Sequence, residues 1–400
     1  MGRIARDSYM NRLISLRDQD FIKVLSGVRR SGKSTLLEMF KEYLLADGIK
    51  GSNVHHYNLD RMDLKKSIIG DAELFDLVKS NLGEGRNYVF IDEIQNVPEW
   101  ESAAVSIFTE LDVDLYITGS NAMMLSSDLS TKLVGRQIVI QVFPLSFGEI
   151  YNFRKENGLE KTEVLNEYLI YGGFPGVTVM PHDERNRMDV IDGIYRSIIS
   201  SDVILKNNVR DPALMFRISE FLLASIGNIV SAKSISDYLS SNGIKTTPAT
   251  VENYLSMLEQ SYLLYRVKRF DVADKHMLKT LNKYYAVDLG IRNAEVGSGD
   301  RGRMLENLVY FELLRRGYKV TVGKVGQQEI DFVASKQQNN IYIQVSQFIA
   351  DEDARRRETS PLLAIKDAFP KILITEHATS PTGDGIICIT VTDFLLGQEL

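Results

Sequence analysis

The segment Gly27-Val28-Arg29-Arg30-Ser31-Gly32-Lys33-Ser34 limits what this chain can fold into more than any other, because it fits the pattern GxxxxGK[ST] in a specific context. A short apolar run, Phe21–Ser26, precedes it, and Leu36, Leu37, Phe40 and Leu44 follow at helical spacing up to Gly48. Strand, glycine-containing loop and helix in that order form a phosphate cradle. Backbone N–H groups curl around phosphate oxygens, and the helix N-terminus favours the anion. The pattern marks Gly27, Arg30, Ser31, Gly32, Lys33, Ser34 and Thr35 as nucleotide-binding candidates, with Lys33 reaching the β/γ-phosphates and the Ser34 hydroxyl ligating Mg²⁺.

The segments that follow alternate in the same way. Strands are predicted at Val54–Leu59, Tyr88–Ile91, Val113–Thr118 and Ile138–Phe143, with helices at Ala72–Leu82 and Glu99–Leu111. This is the pattern of a parallel sheet with crossover helices. The Tyr88–Ile91 run delivers Asp92 and Glu93 at its C-terminal end, where ligands gather in open α/β sheets. Asp92 is expected to hold Mg²⁺ through water, and Glu93 to orient and deprotonate an attacking water. The chemistry implied is Mg²⁺-dependent ATP hydrolysis, with Lys33 and Glu93 as catalytic residues. The alternatives are a slow nucleotide-dependent switch or scaffold acting through protein partners and an ATP-regulated nuclease.

Four hundred residues exceed one ordinary core, and four segments are expected. These are an ATPase core at 1–148, a helical lid or bridge at 149–210, a winged helix-turn-helix at 211–296 and an α/β domain at 297–400. In the third segment Thr247 caps a helix with Pro248 at its first position, and Val251, Tyr254, Leu255 and Leu258 share one apolar face. Strand-like Leu263–Val267 and Lys283–Val287 flank a charged turn and complete the wing. Nine Lys/Arg oppose eight Asp/Glu across Asp211–Gly290, so any contact with double-stranded DNA depends on the local cluster Arg266, Lys268, Arg269, Lys275, Lys279 and Lys283. A protein-docking surface is the other reading.

Gly27–Ser34, Asp92-Glu93-Ile94-Gln95, Ile117-Thr118-Gly119-Ser120-Asn121, Leu133-Val134-Gly135-Arg136 and Phe143-Pro144-Leu145-Ser146-Phe147 together resemble the prokaryotic AAA+-type P-loop ATPases fused to a C-terminal domain of unknown function. The Tyr171-Gly172-Gly173-Phe174-Pro175 turn and the remaining chain resemble that family's tail. The resemblance implies a P-loop NTPase sheet with a helical lid, a winged helix and a restriction-endonuclease-like C-terminal domain. It also implies that Ser120 or Asn121 senses the γ-phosphate and that Arg136 stabilises transition-state charge, in cis or from a neighbouring subunit of a homo-oligomer.

In the tail, Glu306, Asp331, Gln344 and Ser346 resemble the layout of a restriction-endonuclease-like core. Such cores use two acids with a Glu/Gln-x-Lys to hold Mg²⁺ and stabilise charge. Here a neutral Gln344 stands for an acid and Ser346 for the lysine, so the site is expected to lack its cation and to be degenerate as a nuclease.

The net charge of −6 gives no global attraction to polyanions. A single cysteine, Cys388, excludes an internal disulfide and is expected in a core strand, and five histidines lack metal-ligand spacing. No apolar run reaches membrane-spanning length and Met1–Met10 lacks a secretory pattern, so no membrane role and a cytoplasmic location are expected.

Overall fold

The computed structural model describes residues 3–122, 133–155, 158–278, 281–380 and 383–398. It divides into two compact units, one of Arg3–Phe143 with Gln260–Tyr262, the other of Pro144–Glu259 with Leu263 onward.

The first unit is built on a five-stranded sheet. In chain order its elements are α1 (Asp7–Leu16), β1 (Ile22–Ser26), α2 (Lys33–Ala46), β2 (Val54–Asn58), α3 (Met62–Ser67), α4 (Asp71–Asn81), β3 (Asn87–Asp92), α5 (Trp100–Glu110), β4 (Val113–Gly119) and β5 (Gln137–Gln141). The strands lie in the order β2-β3-β4-β1-β5, and every pairing is parallel, as the strand–helix alternation predicts.

Side-chain alternation along the strands separates two apolar layers. Val24, Val89, Ile91, Leu115 and Ile117 pack with α4 and α5, and Trp100 belongs to this layer. Leu25, Phe90 and Tyr116 pack on the other side with Leu13 of α1 and Leu36, Leu37 and Phe40 of α2. Both faces are covered, so β3 and β4 are buried along their whole length.

The second unit begins with α6 (Phe147–Lys155), α7 (Lys161–Tyr171), α8 (Pro175–Thr178) and α9 (Glu184–Ser197), the last continuing as a π-helix over Ile198–Leu205. The helices α10 (Pro212–Ala224), α11 (Ala232–Ser241) and α12 (Pro248–Gln260) follow, then β6 (Leu264–Val267), β7 (Arg269–Asp271), β8 (His276–Met277) and β9 (Lys283–Ala286). The chain continues through α13 (Leu289–Val296), α14 (Arg301–Arg315), β10 (Lys319–Val325), β11 (Gln328–Lys336), β12 (Asn339–Ser346), α15 (Glu352–Leu363), β13 (Lys371–Thr375), β14 (Ile387–Thr390) and α16 (Val391–Leu395).

Strands β6 and β9 pair antiparallel, as a wing would. The segment between them is more than a charged turn. It forms the β7–β8 hairpin, which extends the C-terminal sheet to seven strands in the order β14-β13-β12-β11-β10-β7-β8. The middle and C-terminal segments therefore share a sheet. Cys388 lies on the edge strand β14 and, partly buried, packs against the C-terminal apolar core as expected.

The turn at Tyr171–Pro175 has a packing explanation. Gly172 has φ +70°, and a Cβ there would stand 2.0 Å from Asp288 Oδ1. Asp288 caps α13, accepting N–H groups from Gly173 (2.6 Å), Gly290 (2.9 Å) and Ile291 (3.4 Å). The glycine pair lets α7 approach a buried carboxylate. No described helix is long and apolar enough to cross a membrane.

Candidate nucleotide-binding site

The parallel register brings the expected residues to one end of the first sheet. Ser26 of β1 lies opposite Gly119 of β4, and Ile91 of β3 opposite Ile117. The loop after β1, the acids at the end of β3 and Ser120-Asn121 after β4 consequently share that end.

Gly27 has a structural reason to be glycine, since a Cβ there would meet Val142 O at 2.1 Å. Arg30 (φ +69°) and Gly32 (φ +98°) take left-handed conformations that bend the loop into the N-terminus of α2. Lys33 is buried and donates from Nζ to Gly27 O at 2.9 Å and Val28 O at 3.1 Å. Ser31 Oγ is buried with no hydrogen-bond partner among the described residues, an unsatisfied polar atom within the cradle. Ser34 and Thr35 are exposed, as is Arg30. A buried cation, an unsatisfied hydroxyl and a loop at a helix N-terminus fit a phosphate group.

Asp92 is buried at the end of β3, and Glu93 follows in a left-handed conformation (φ +57°). A residue not assigned a role from sequence links them. The Thr118 hydroxyl donates to Asp92 Oδ1 and accepts the Glu93 backbone N–H at 3.0 Å. Asn58 Nδ2 reaches Asp92 Oδ2 at 3.4 Å, and the Gln95 amide donates to Glu93 Oε2. Both acids are held by neutral donors. Ser120 is buried and Asn121 half-buried at the end of β4, and Asn121 O accepts from Ser26 Oγ at 3.3 Å.

Arg6 was also not legible as a site residue. It is buried and donates to Ser31 O at 2.9 Å and Phe143 O at 3.0 Å, bracing the phosphate loop from behind. Its distance in sequence from the motif hid it.

Arg136 lies elsewhere. It immediately precedes β5, whose first residue, Gln137, pairs with Ile22 at the start of β1. It is exposed at the end of the sheet opposite the phosphate loop, about 15 Å away along a strand of five residues.

In the second unit the basic cluster is partly committed. Arg266 pairs with Glu252 and Glu259 of α12 at 2.6 Å each, and Lys283 is buried among carboxylates. Lys279 lies outside the described residues.

A family model described as "AAA domain" matches residues 19–151, and one described as "Domain of unknown function (DUF8612)" matches residues 162–301. An uncharacterized protein of Haemophilus influenzae is 38% identical over 401 residues, covering 98% of this chain and 98% of that protein. The chain belongs to that protein's family. Further similarity extends to an uncharacterized protein of Methanocaldococcus jannaschii, 29% identical over 86% of this chain and 79% of the relative. A Walker-type ATPase of Pyrococcus abyssi resembles it with a TM-score of 0.48 and 17% identity, over 73% of this chain and 95% of that one.

Proposed function

We propose that the AAA domain binds ATP and hydrolyses it with Mg²⁺ as cofactor. The observation that carries this reading is the convergence of the phosphate loop with the Thr118-linked Asp92 and Glu93 at one sheet end. A nucleotide-binding switch needs the loop, but it does not need a fixed carboxylate for water.

In this reading Lys33 moves its hydrogen bonds from the loop carbonyls to β/γ-phosphate oxygens. Gly27, Arg30, Ser31, Gly32 and Thr35 line the phosphate cradle. Ser34 and Asp92 would hold Mg²⁺, which neutralises phosphate charge when bound. Glu93 accepts a proton from the water whose oxygen bonds to the γ-phosphorus as the bond to the β,γ-bridging oxygen breaks, leaving ADP and phosphate. Ser120 or Asn121 senses the γ-phosphate. Because Arg136 stands at the far end of its own sheet, any catalytic contact comes from a second copy of the chain.

The α10–α12 helices with β6 and β9 make the module expected to contact DNA or protein. Glu252 and Glu259 on α12 hold Arg266, which favours a protein partner over a polyanion.

Titration with a fluorescent ATP analogue tests the binding step. Saturable binding that Lys33→Ala abolishes supports the reading, and binding unchanged in Lys33→Ala contradicts it. Mixing Arg136→Ala with Glu93→Gln chains tests the shared site, since recovered turnover requires a complementing subunit. Unchanged turnover on adding duplex DNA assigns the helical module to protein contact.

A further inference from the structure

Three carboxylates in the second unit surround an ammonium group. Lys283 Nζ lies 2.8 Å from Glu306 Oε1, 2.8 Å from Glu329 Oε1 and 3.7 Å from Asp331 Oδ1. Lys283 is 3% exposed, and Glu306 and Asp331 are 8% each. The shell around them is built. Tyr285 donates its hydroxyl to Glu306 Oε1 at 2.6 Å, and Val345 N–H donates to Asp331 Oδ2 at 2.9 Å. Gln344 Oε1 faces the Asp331 N–H at 3.4 Å, and its amide nitrogen faces Glu358 at 3.4 Å.

From the sequence this centre is expected to lack a cation, because Ser346 stands at the lysine position. Ser346 does turn elsewhere, its hydroxyl pointing to Phe348 O at 3.4 Å. The cation is nevertheless present, supplied by β9. It lies between Glu306 and Asp331, at the point a divalent ion bound by both carboxylates would have to occupy.

An ammonium and a divalent ion cannot share those oxygens, since two cations at one buried point repel strongly. Among the described residues no group of three or more His, Cys, Asp or Glu is arranged to hold a metal ion. The residues do not fit a metal while Lys283 is in place. We infer that Lys283 substitutes for the divalent ion, making this a closed ionic joint that ties β9 to α14 and β11 and performs no phosphodiester cleavage.

At Lys283 the electrostatics agree with the geometry. Burial works to lower the Lys283 pKa, but Glu306, Asp331 and Glu329 outweigh it and keep the lysine charged. Burial, then the Glu306 charge, pushes Asp331 upward, and Lys283 opposes that shift. The inference does not depend on ATP hydrolysis by the other unit.

The test uses the full chain without nucleotide and Mn²⁺ alone as probe. Thermal unfolding of wild type is expected to be insensitive to millimolar Mn²⁺. Lys283→Met is expected to unfold roughly 10 °C lower and to regain part of that loss with Mn²⁺, a recovery that adding Glu306→Gln removes. A folded Lys283→Met chain that Mn²⁺ does not stabilise overturns the substitution. Bound Mn²⁺, counted by electron paramagnetic resonance, gives a second measurement if Lys283→Met fails to fold. Equal Mn²⁺ on wild type and on Glu329→Gln, a change at a partly exposed position, supports the inference. Mn²⁺ lost in Glu329→Gln, or Mn²⁺-dependent duplex cleavage by wild type that Asp331→Asn abolishes, overturns it.

Discussion

Each unit of this chain places a pair of acids at a sheet, and the company those acids keep separates the two. Asp92 and Glu93 are held by neutral donors from Thr118, Asn58 and Gln95, so their charge stays available to a cation and a water. Glu306 and Asp331 face Lys283, so their charge is answered within the fold. The two acid pairs thus differ in what they leave for a ligand. A buried carboxylate held by dipoles is suited to chemistry, whereas one held by an ammonium is suited to holding elements together.

The largest expected effect comes from removing the ammonium. Lys283→Met leaves buried carboxylates unpaired, a loss of about 3–5 kcal/mol. For a unit of this size that lowers the unfolding midpoint by roughly 10 °C. Asp92→Asn, by contrast, should leave the nucleotide-free midpoint nearly unchanged while removing the Mg²⁺-dependent part of ATP affinity. Calorimetry of both variants breaks the comparison if the two stability losses are equal.

Asp288 is a third acid, buried and held mainly by backbone N–H donors. Gly172→Ala would drive a methyl into its carboxylate in a backbone conformation that alanine resists, costing at least ~2 kcal/mol by denaturant titration. Thr118→Val keeps the shape of β4 and removes both links to the acids. It should lower turnover about fivefold with little change in ATP affinity, in line with roughly 1 kcal/mol for a lost hydrogen bond. Equal loss in Asn58→Ala would show that the acids need no specific link through Thr118.

A further effect is one of pH. Burial pushes Asp288 up to about 6, against its three N–H donors, so the folded chain binds more protons than the unfolded chain from about pH 4 to 6. Its contribution is present in full below that window and is lost as pH rises through about 6. Denaturation of wild type should therefore show a decline across this window that Asp288→Asn lacks. Identical pH profiles would contradict the assignment.

The parallel sheet and phosphate loop were legible because period-2 and helical patterns alternate cleanly and the loop is contiguous in sequence. Asp92 and Glu93 were legible for the same reason. Thr118, Arg6 and Lys283 were not, because each reaches its partners through tertiary packing that no local spacing encodes. The Arg266–Lys283 cluster misled in the opposite direction. Adjacent bases suggested one surface, but Arg266 turns to α12, Lys283 turns inward, and the β7–β8 hairpin between them joins another sheet.

The central claim is that Glu93 is a working base in an ATP-hydrolysing site. Steady-state phosphate release by wild type and Glu93→Gln at saturating MgATP, with ATP binding measured alongside, tests it most directly. Turnover is expected in wild type, with a fall of about a hundredfold or more in Glu93→Gln and ATP binding retained. Equal phosphate release by the two chains, or none by wild type, would contradict it.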